Sequence, residues 1–125
     1  MTTVASHKIL LVEDHHDTAR AMARLLNLSG YSVRTATTYR SAIEICHEEQ
    51  FDLVISDVGL PDGSGYDLMR EMLERACTTR GIAVSGYGTE KDVKDSLAAG
   101  FTLHLVKPVE FEALCDAIRR VMPRN

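Results

Sequence analysis

Asp57 ends an apolar run, Leu53-Val54-Ile55, and opens a loop rich in turn formers, Gly59-Leu60-Pro61-Asp62-Gly63-Ser64-Gly65. A carboxylate at the exit of a buried strand is an ordinary solubilising group when it stands alone. Here it does not. Glu13-Asp14 follow the apolar run Lys8–Val12, Ser85-Gly86 follow Gly81–Val84, and Lys107-Pro108 follow Phe101–Val106. Three carboxylates brought together repel one another unless a proton or a cation intervenes. A hard divalent cation such as Mg²⁺ suits an all-oxygen donor set, with Mn²⁺ as a substitute. His15 and His16 follow Asp14, but no Cys or His at the strand ends has tetrahedral zinc spacing. Lys107 adds a fixed positive charge and Ser85 a hydroxyl donor. A carboxylate surrounded by cation, lysine and hydroxyl is suited to receiving a phosphoryl group. Asp57 is the best nucleophile, because the glycine-rich loop leaves its approach open.

The elements that must position these groups follow from two periodicities. Short β-branched or apolar runs predict strands at Lys8–Val12, Tyr31–Ala36, Leu53–Ile55, Gly81–Val84 and Phe101–Val106. Between them, apolar residues recur at helical spacing. The first helix starts near Asp17, buries Ala19, Met22, Ala23 and Leu26, and is closed by Gly30. The second is capped by Thr37 or Thr38 and buries Tyr39, Ala42, Ile43 and Cys46. Met69, Met72, Leu73 and Ala76 stripe a third. The fourth spans Thr89 to Ala99, with Thr89 as cap, Gly100 as stop and a thin stripe of Val93 and Leu97. Phe111, Leu114, Cys115, Ile118 and Met122 mark the fifth. The methionines read as core filler. Five strand-then-helix units predict an α/β fold, a doubly wound five-stranded parallel sheet with helices on both faces. Four of its strands would then end in a polar or charged group at one edge, which makes that edge a site.

Composition bounds the rest. At 125 residues, with 45% hydrophobic and 26% charged residues, the chain fits one ordinary globular domain. A net charge of −4, without a dense Lys/Arg run, argues against a nucleic-acid surface. No apolar stretch reaches the ~20 residues needed to cross a bilayer, and Met1 to His7 lack a signal-peptide core. Cys46, Cys77 and Cys115 are odd in number and widely spaced, as expected of reduced thiols in a cytoplasmic protein.

Glu13-Asp14, Asp57 with Pro61-Asp62-Gly63, Ser85-Gly86 and Lys107-Pro108, taken together, resemble a response-regulator receiver domain over about residues 7 to 123, with 1–6 as an N-terminal tail. The Ser85-Gly86-Tyr87-Gly88 and His104-Leu105-Val106-Lys107-Pro108 stretches are most similar to receivers attached to hybrid sensor histidine kinases. The resemblance implies the flavodoxin-like strand order 2-1-3-4-5 and a cis Lys107–Pro108 bond. It implies Asp57 as phosphoacceptor, Mg²⁺ held by Asp14, Asp57 and the Gly59 carbonyl, and Glu13 acting through water. Ser85 and Lys107 would contact the phosphoryl oxygens. His104 stands where the family usually carries a Tyr or Phe switch residue on strand five. Gly59, Gly86 and Tyr87 flank the acceptor and would tune phosphoryl lifetime. The implied donor is a sensor histidine kinase or a histidine phosphotransfer domain. A downstream protein would read the helix 4–strand 5–helix 5 face, with no membrane or nucleic-acid contact by this domain. Such a domain is a switch, not a turnover enzyme, and can occur as part of a longer hybrid kinase.

Three alternatives are weaker. A pseudo-receiver acting only through protein contacts would have no need of the full chemical set. A haloacid-dehalogenase-type phosphatase requires an Asp two residues beyond its nucleophile, where this chain has Gly59. An FMN module would place phosphate against Glu13-Asp14-His15-His16-Asp17, which repels it.

Overall fold

The structure, a computed structural model, describes residues 7–76 and 78–122. Cys77, the 1–6 tail and residue 123 of the expected domain lie outside them. Five strands form one parallel sheet: β1 (Lys8–Val12), β2 (Ser32–Ala36), β3 (Leu53–Asp57), β4 (Arg80–Ser85) and β5 (Leu103–Val106), in the order β2-β1-β3-β4-β5. Five helices alternate with them: α1 (His16–Leu28), α2 (Tyr39–Glu48), α3 (Gly65–Arg75), α4 (Glu90–Ala99) and α5 (Phe111–Val121). This is the predicted α/β class and strand order.

The period of two along each strand divides the core. Ile9, Leu11, Leu53, Ile55 and Ile82 meet α1 and α5 through Leu26, Leu114 and Ile118. Leu10, Val12, Val54 and Ala83 face the other way, onto Ala42, Leu68, Met69, Met72 and Ala99 of α2, α3 and α4. A buried Leu or Ile contributes about 1.5–3 kcal/mol relative to exposure, so the central strands β1 and β3, covered on both faces, anchor the sheet.

Several boundaries differ from the sequence reading, each for a local reason. α1 starts one residue earlier than its apolar stripe suggests, because the His15 Nδ1 accepts a hydrogen bond from the Thr18 N–H at 3.3 Å and caps it. Ser29 is its C-cap, with Gly30 just beyond at φ +102°. Ala76 caps the end of α3 instead of lying on its buried face, which Leu68 joins. β5 begins at Leu103: the Phe101 N–H is drawn back to the Ser96 carbonyl of α4, and the Thr102 N–H makes the first bond to β4, at the Gly81 carbonyl. The stripe expected of α4 fails at Leu97, which is 50% exposed; Val93 is half-buried, and the helix buries Ser96 and Ala99. Between β3 and α3 lies a short antiparallel ribbon, Gly59–Leu60 against Gly63–Ser64, which the sequence reading left as loop.

Candidate functional site

β1 and β3 are hydrogen-bonded neighbours, so their carboxyl ends carry Glu13-Asp14 and Asp57 to one edge of the sheet. One oxygen from each of the three carboxylates lies within 4.8 Å of the others. Asp57 is 4% exposed and Glu13 8%, whereas Asp14 is open to solvent. From the loop after β5, the Lys107 Nζ reaches the Asp57 Oδ1 at 2.9 Å and the Glu13 Oε1 at 3.3 Å. The peptide bond between Lys107 and Pro108 is cis. An open cavity of about 700 Å³ adjoins the cluster, its apolar wall including Leu11, Ile55, Val84 and Leu114.

The backbone below Asp57 is tightly fixed. The Ser56 hydroxyl donates to the Asp57 carbonyl at 2.8 Å, and the Gly65 N–H donates to the Val58 carbonyl at 2.8 Å. Any Cβ at position 65 would collide with the Asp57 carbonyl, so only glycine lets α3 start this close to Asp57.

The electrostatics follow from burial. Burial, and then the hydrogen bond with neighbouring Glu13, pushes the Asp57 carboxyl up to about 7; Lys107 pulls against that rise. Burial also acts to raise Glu13, but its bonds with Asp57 and the His15 N–H, together with Lys107, hold it below its ordinary value. Burial alone would lower the Lys107 ammonium, yet its two carboxylates take it above the usual lysine range. The buried Asp57 Oδ2 has no hydrogen-bond partner. An orphaned buried oxygen inside an all-oxygen cluster fits a hard divalent cation, and the fixed lysine is the wrong shape of charge to fill that place.

The remaining candidates surround this cluster. Ser85 ends β4, next to β3, and its Oγ accepts from the Tyr87 N–H at 3.1 Å. Gly59 and Gly86 border open space, where a Cβ would meet nothing within 4 Å, and Tyr87 is 74% exposed. His104 is not a free surface residue. Its Nε2 lies 2.7 Å from the Tyr87 carbonyl and its Nδ1 2.7 Å from the Oγ of fully buried Ser96. A carbonyl only accepts, so Nε2 carries a proton, and in the neutral ring Nδ1 accepts from the Ser96 hydroxyl. The ring thus joins β5 to α4 and to the loop that follows Ser85. Sequence reasoning placed His104 on β5 but missed Ser96, which lies eight residues upstream and off the assumed face of α4. It also missed Asp62, whose carboxylate reaches α2.

Comparison with known proteins gives the same frame. A family model described as response regulator receiver domain matches residues 9–119. Sporulation initiation phosphotransferase F of Bacillus subtilis (strain 168) is 26% identical over 118 residues, covering 94% of this chain and 95% of that protein. Sensor histidine kinase RcsC of Salmonella typhi is 30% identical over 106 residues, covering 85% of this chain but 11% of that protein. The chemotaxis protein CheY4 of Vibrio cholerae superposes with a TM-score of 0.88 at 28% identity, over 94% of this chain and all of that one.

Proposed function

The chain belongs to the response-regulator receiver domain family, and from that premise we propose that residues 7–123 form a phosphoacceptor switch, with Asp57 as the acceptor. Receiver domains of this family pair with histidine kinases or histidine phosphotransfer domains. The reading assigns such a partner's phosphohistidine as donor and a cytoplasmic setting for the exchange; no described helix is long and apolar enough to cross a membrane. One observation carries it: a buried carboxylate with an unpartnered oxygen, held by lysine on its other oxygen, at the mouth of an open cavity.

In the transfer, an Asp57 oxygen forms a bond to phosphorus as the phosphorus–nitrogen bond breaks and the imidazole leaves. Asp14, Asp57 and the Gly59 carbonyl would hold Mg²⁺, with Glu13 acting through water; the cation, when bound, supplies positive charge to the transferring phosphoryl oxygens. Lys107 gives those oxygens a second positive contact, and Ser85 turns its hydroxyl from the Tyr87 N–H toward one of them. Phosphorylation adds about −1.5 to −2 charge and three acceptor oxygens at Asp57. When Ser85 turns, the loop through Tyr87 moves, and His104 loses or shifts its bond to the Tyr87 carbonyl. That reshapes the face of α4, β5 and α5, where Leu97, Val106 and Tyr87 are exposed to a downstream protein. Gly59, Gly86 and Tyr87 bound the path of an attacking water and tune how long the phosphoryl group lasts. Loss of the group by hydrolysis returns the switch to rest, so the domain is not a turnover enzyme.

The test is incubation with acetyl phosphate. Label should enter the protein with Mg²⁺ or Mn²⁺ and be suppressed by EDTA. No label at any cation concentration would make the domain a pseudo-receiver that works only through protein contacts.

A further inference from the structure

The ribbon between β3 and α3 has its tip tied to a helix far away in sequence. Its two turn residues are Pro61 and Asp62. The Asp62 carboxylate accepts from the Tyr39 N–H at 2.7 Å through Oδ1 and from the Arg40 N–H at 3.0 Å through Oδ2. A helix leaves four N–H groups without intrahelical partners at its start. At α2, Thr38 and Ser41 serve the other two reciprocally: the Thr38 Oγ1 takes the Ser41 N–H at 3.0 Å and the Ser41 Oγ takes the Thr38 N–H at 3.3 Å. The helix start is therefore completed only by a carboxylate 22 and 23 residues away. Negative charge there also complements the helix dipole.

Packing seals the same joint. A Cβ at Gly63 would lie 2.7 Å from the Tyr39 Cγ, so the ribbon lies flush on the tyrosine ring. At its base the ribbon is pinned by the Gly65 N–H on the Val58 carbonyl. Gly59 lies between these two anchors, with open space where a Cβ would point. Two residue pairs are far too few for a ribbon to hold its own shape in water.

We propose that Asp62 is a positioning residue: by clamping the ribbon to the start of α2 it holds the Gly59 carbonyl ready for the divalent cation at Glu13, Asp14 and Asp57. This rests on the reading of Gly59 as a cation ligand. With the clamp, the ribbon is ordered before the cation arrives. Without it, the ordering cost falls on cation binding and weakens it. A residue that merely stabilised α2 would change melting temperature and leave cation affinity alone.

The experiment titrates Mg²⁺ into the wild type, Asp62→Ala and Asp62→Asn, following backbone amide signals and recording each melting curve. Amide exchange at Gly59 and Leu60 is measured in cation-free buffer. Asp62→Asn keeps one acceptor oxygen and the side-chain shape, so it serves if the alanine variant folds poorly. Wild type should show a saturable shift at Gly59. Asp62→Ala should bind Mg²⁺ about fivefold more weakly or worse, with faster exchange at Gly59 and Leu60, and Asp62→Asn should fall between. Equal affinity in wild type and Asp62→Asn, or in all three proteins, overturns the clamp while leaving the receiver reading intact. A wild type that binds no Mg²⁺ at Gly59 overturns the cation reading itself, and the clamp falls with it.

Discussion

At the scale of single residues, the proton on Asp57 has consequences that can be measured without any phosphodonor. Its carboxyl is raised to about 7 in the folded chain. Below about pH 4 folded and unfolded chains both hold that proton, so its stabilising contribution is fully present. As pH rises only the folded chain keeps it, and the contribution is lost through about 7. Glu13 has the opposite sign: lowered in the fold, it stabilises above its unfolded value and loses that on acidification. In cation-free buffer, Asp57→Asn should therefore be more stable than wild type at pH 8, with a gap on the order of a few kcal/mol that closes toward pH 4. Melting curves across that range check it, and a gap independent of pH would contradict it. Asp14→Ala should bind Mg²⁺ at least tenfold more weakly, through the loss of one oxygen ligand, and melt no lower than wild type without cation, because it relieves repulsion. An unchanged affinity in a titration would move the cation elsewhere. Glu13, Asp14, Asp57 and Lys107 were legible in the sequence because each closes a strand, so parallel strand order alone gathers them. His15 as a helix cap and Asp62 as a remote one were not, since a capping carboxylate has no fixed distance in sequence from the helix it serves.

At the scale of elements, α4 shows where periodicity misleads. Val93 and Leu97 looked like its buried stripe, yet the helix turns Ser96 inward, because His104 on β5 offers a partner that a hydrophobic count does not register. Both ends of α4 were readable: Thr89 and Asp92 form a reciprocal cap, and Gly100 adopts φ +112°. The ribbon was unreadable, because its two pairs carry no alternation and depend on Tyr39 and Asp62 for support. His104→Ala should strand the buried Ser96 hydroxyl at a cost of about 1–3 kcal/mol and loosen the α4–β5 layer. Thermal denaturation, with amide exchange along α4, would show lower stability and faster exchange at Val93 to Ala99. Adding Ser96→Ala should recover part of the loss, as coupled partners do. Strictly additive losses would mean the two side chains act independently. With beryllofluoride as a phosphoryl mimic, wild type should shift in α4 and β5; the same shifts in His104→Ala would remove His104 from the switch.

At the scale of the molecule, the fold and the site are one fact seen twice. The class and the helices on both faces came from five repeats of strand and helix, while the strand order came with the family resemblance and is the order seen. That order places β1, β3 and β4 side by side, so their polar ends converge where each alone would be surface decoration. The core on one face, α1 and α5, floors the cavity beside Asp57; the core on the other, α2 to α4, carries the elements tied to Asp62 and His104. The most direct measurement is intact mass after incubation with acetyl phosphate and Mg²⁺, for wild type and Asp57→Asn side by side. The account predicts a gain of one phosphoryl group on the wild type and none on Asp57→Asn, with the Asn variant still folded by its melting curve. Full labelling of folded Asp57→Asn would contradict it.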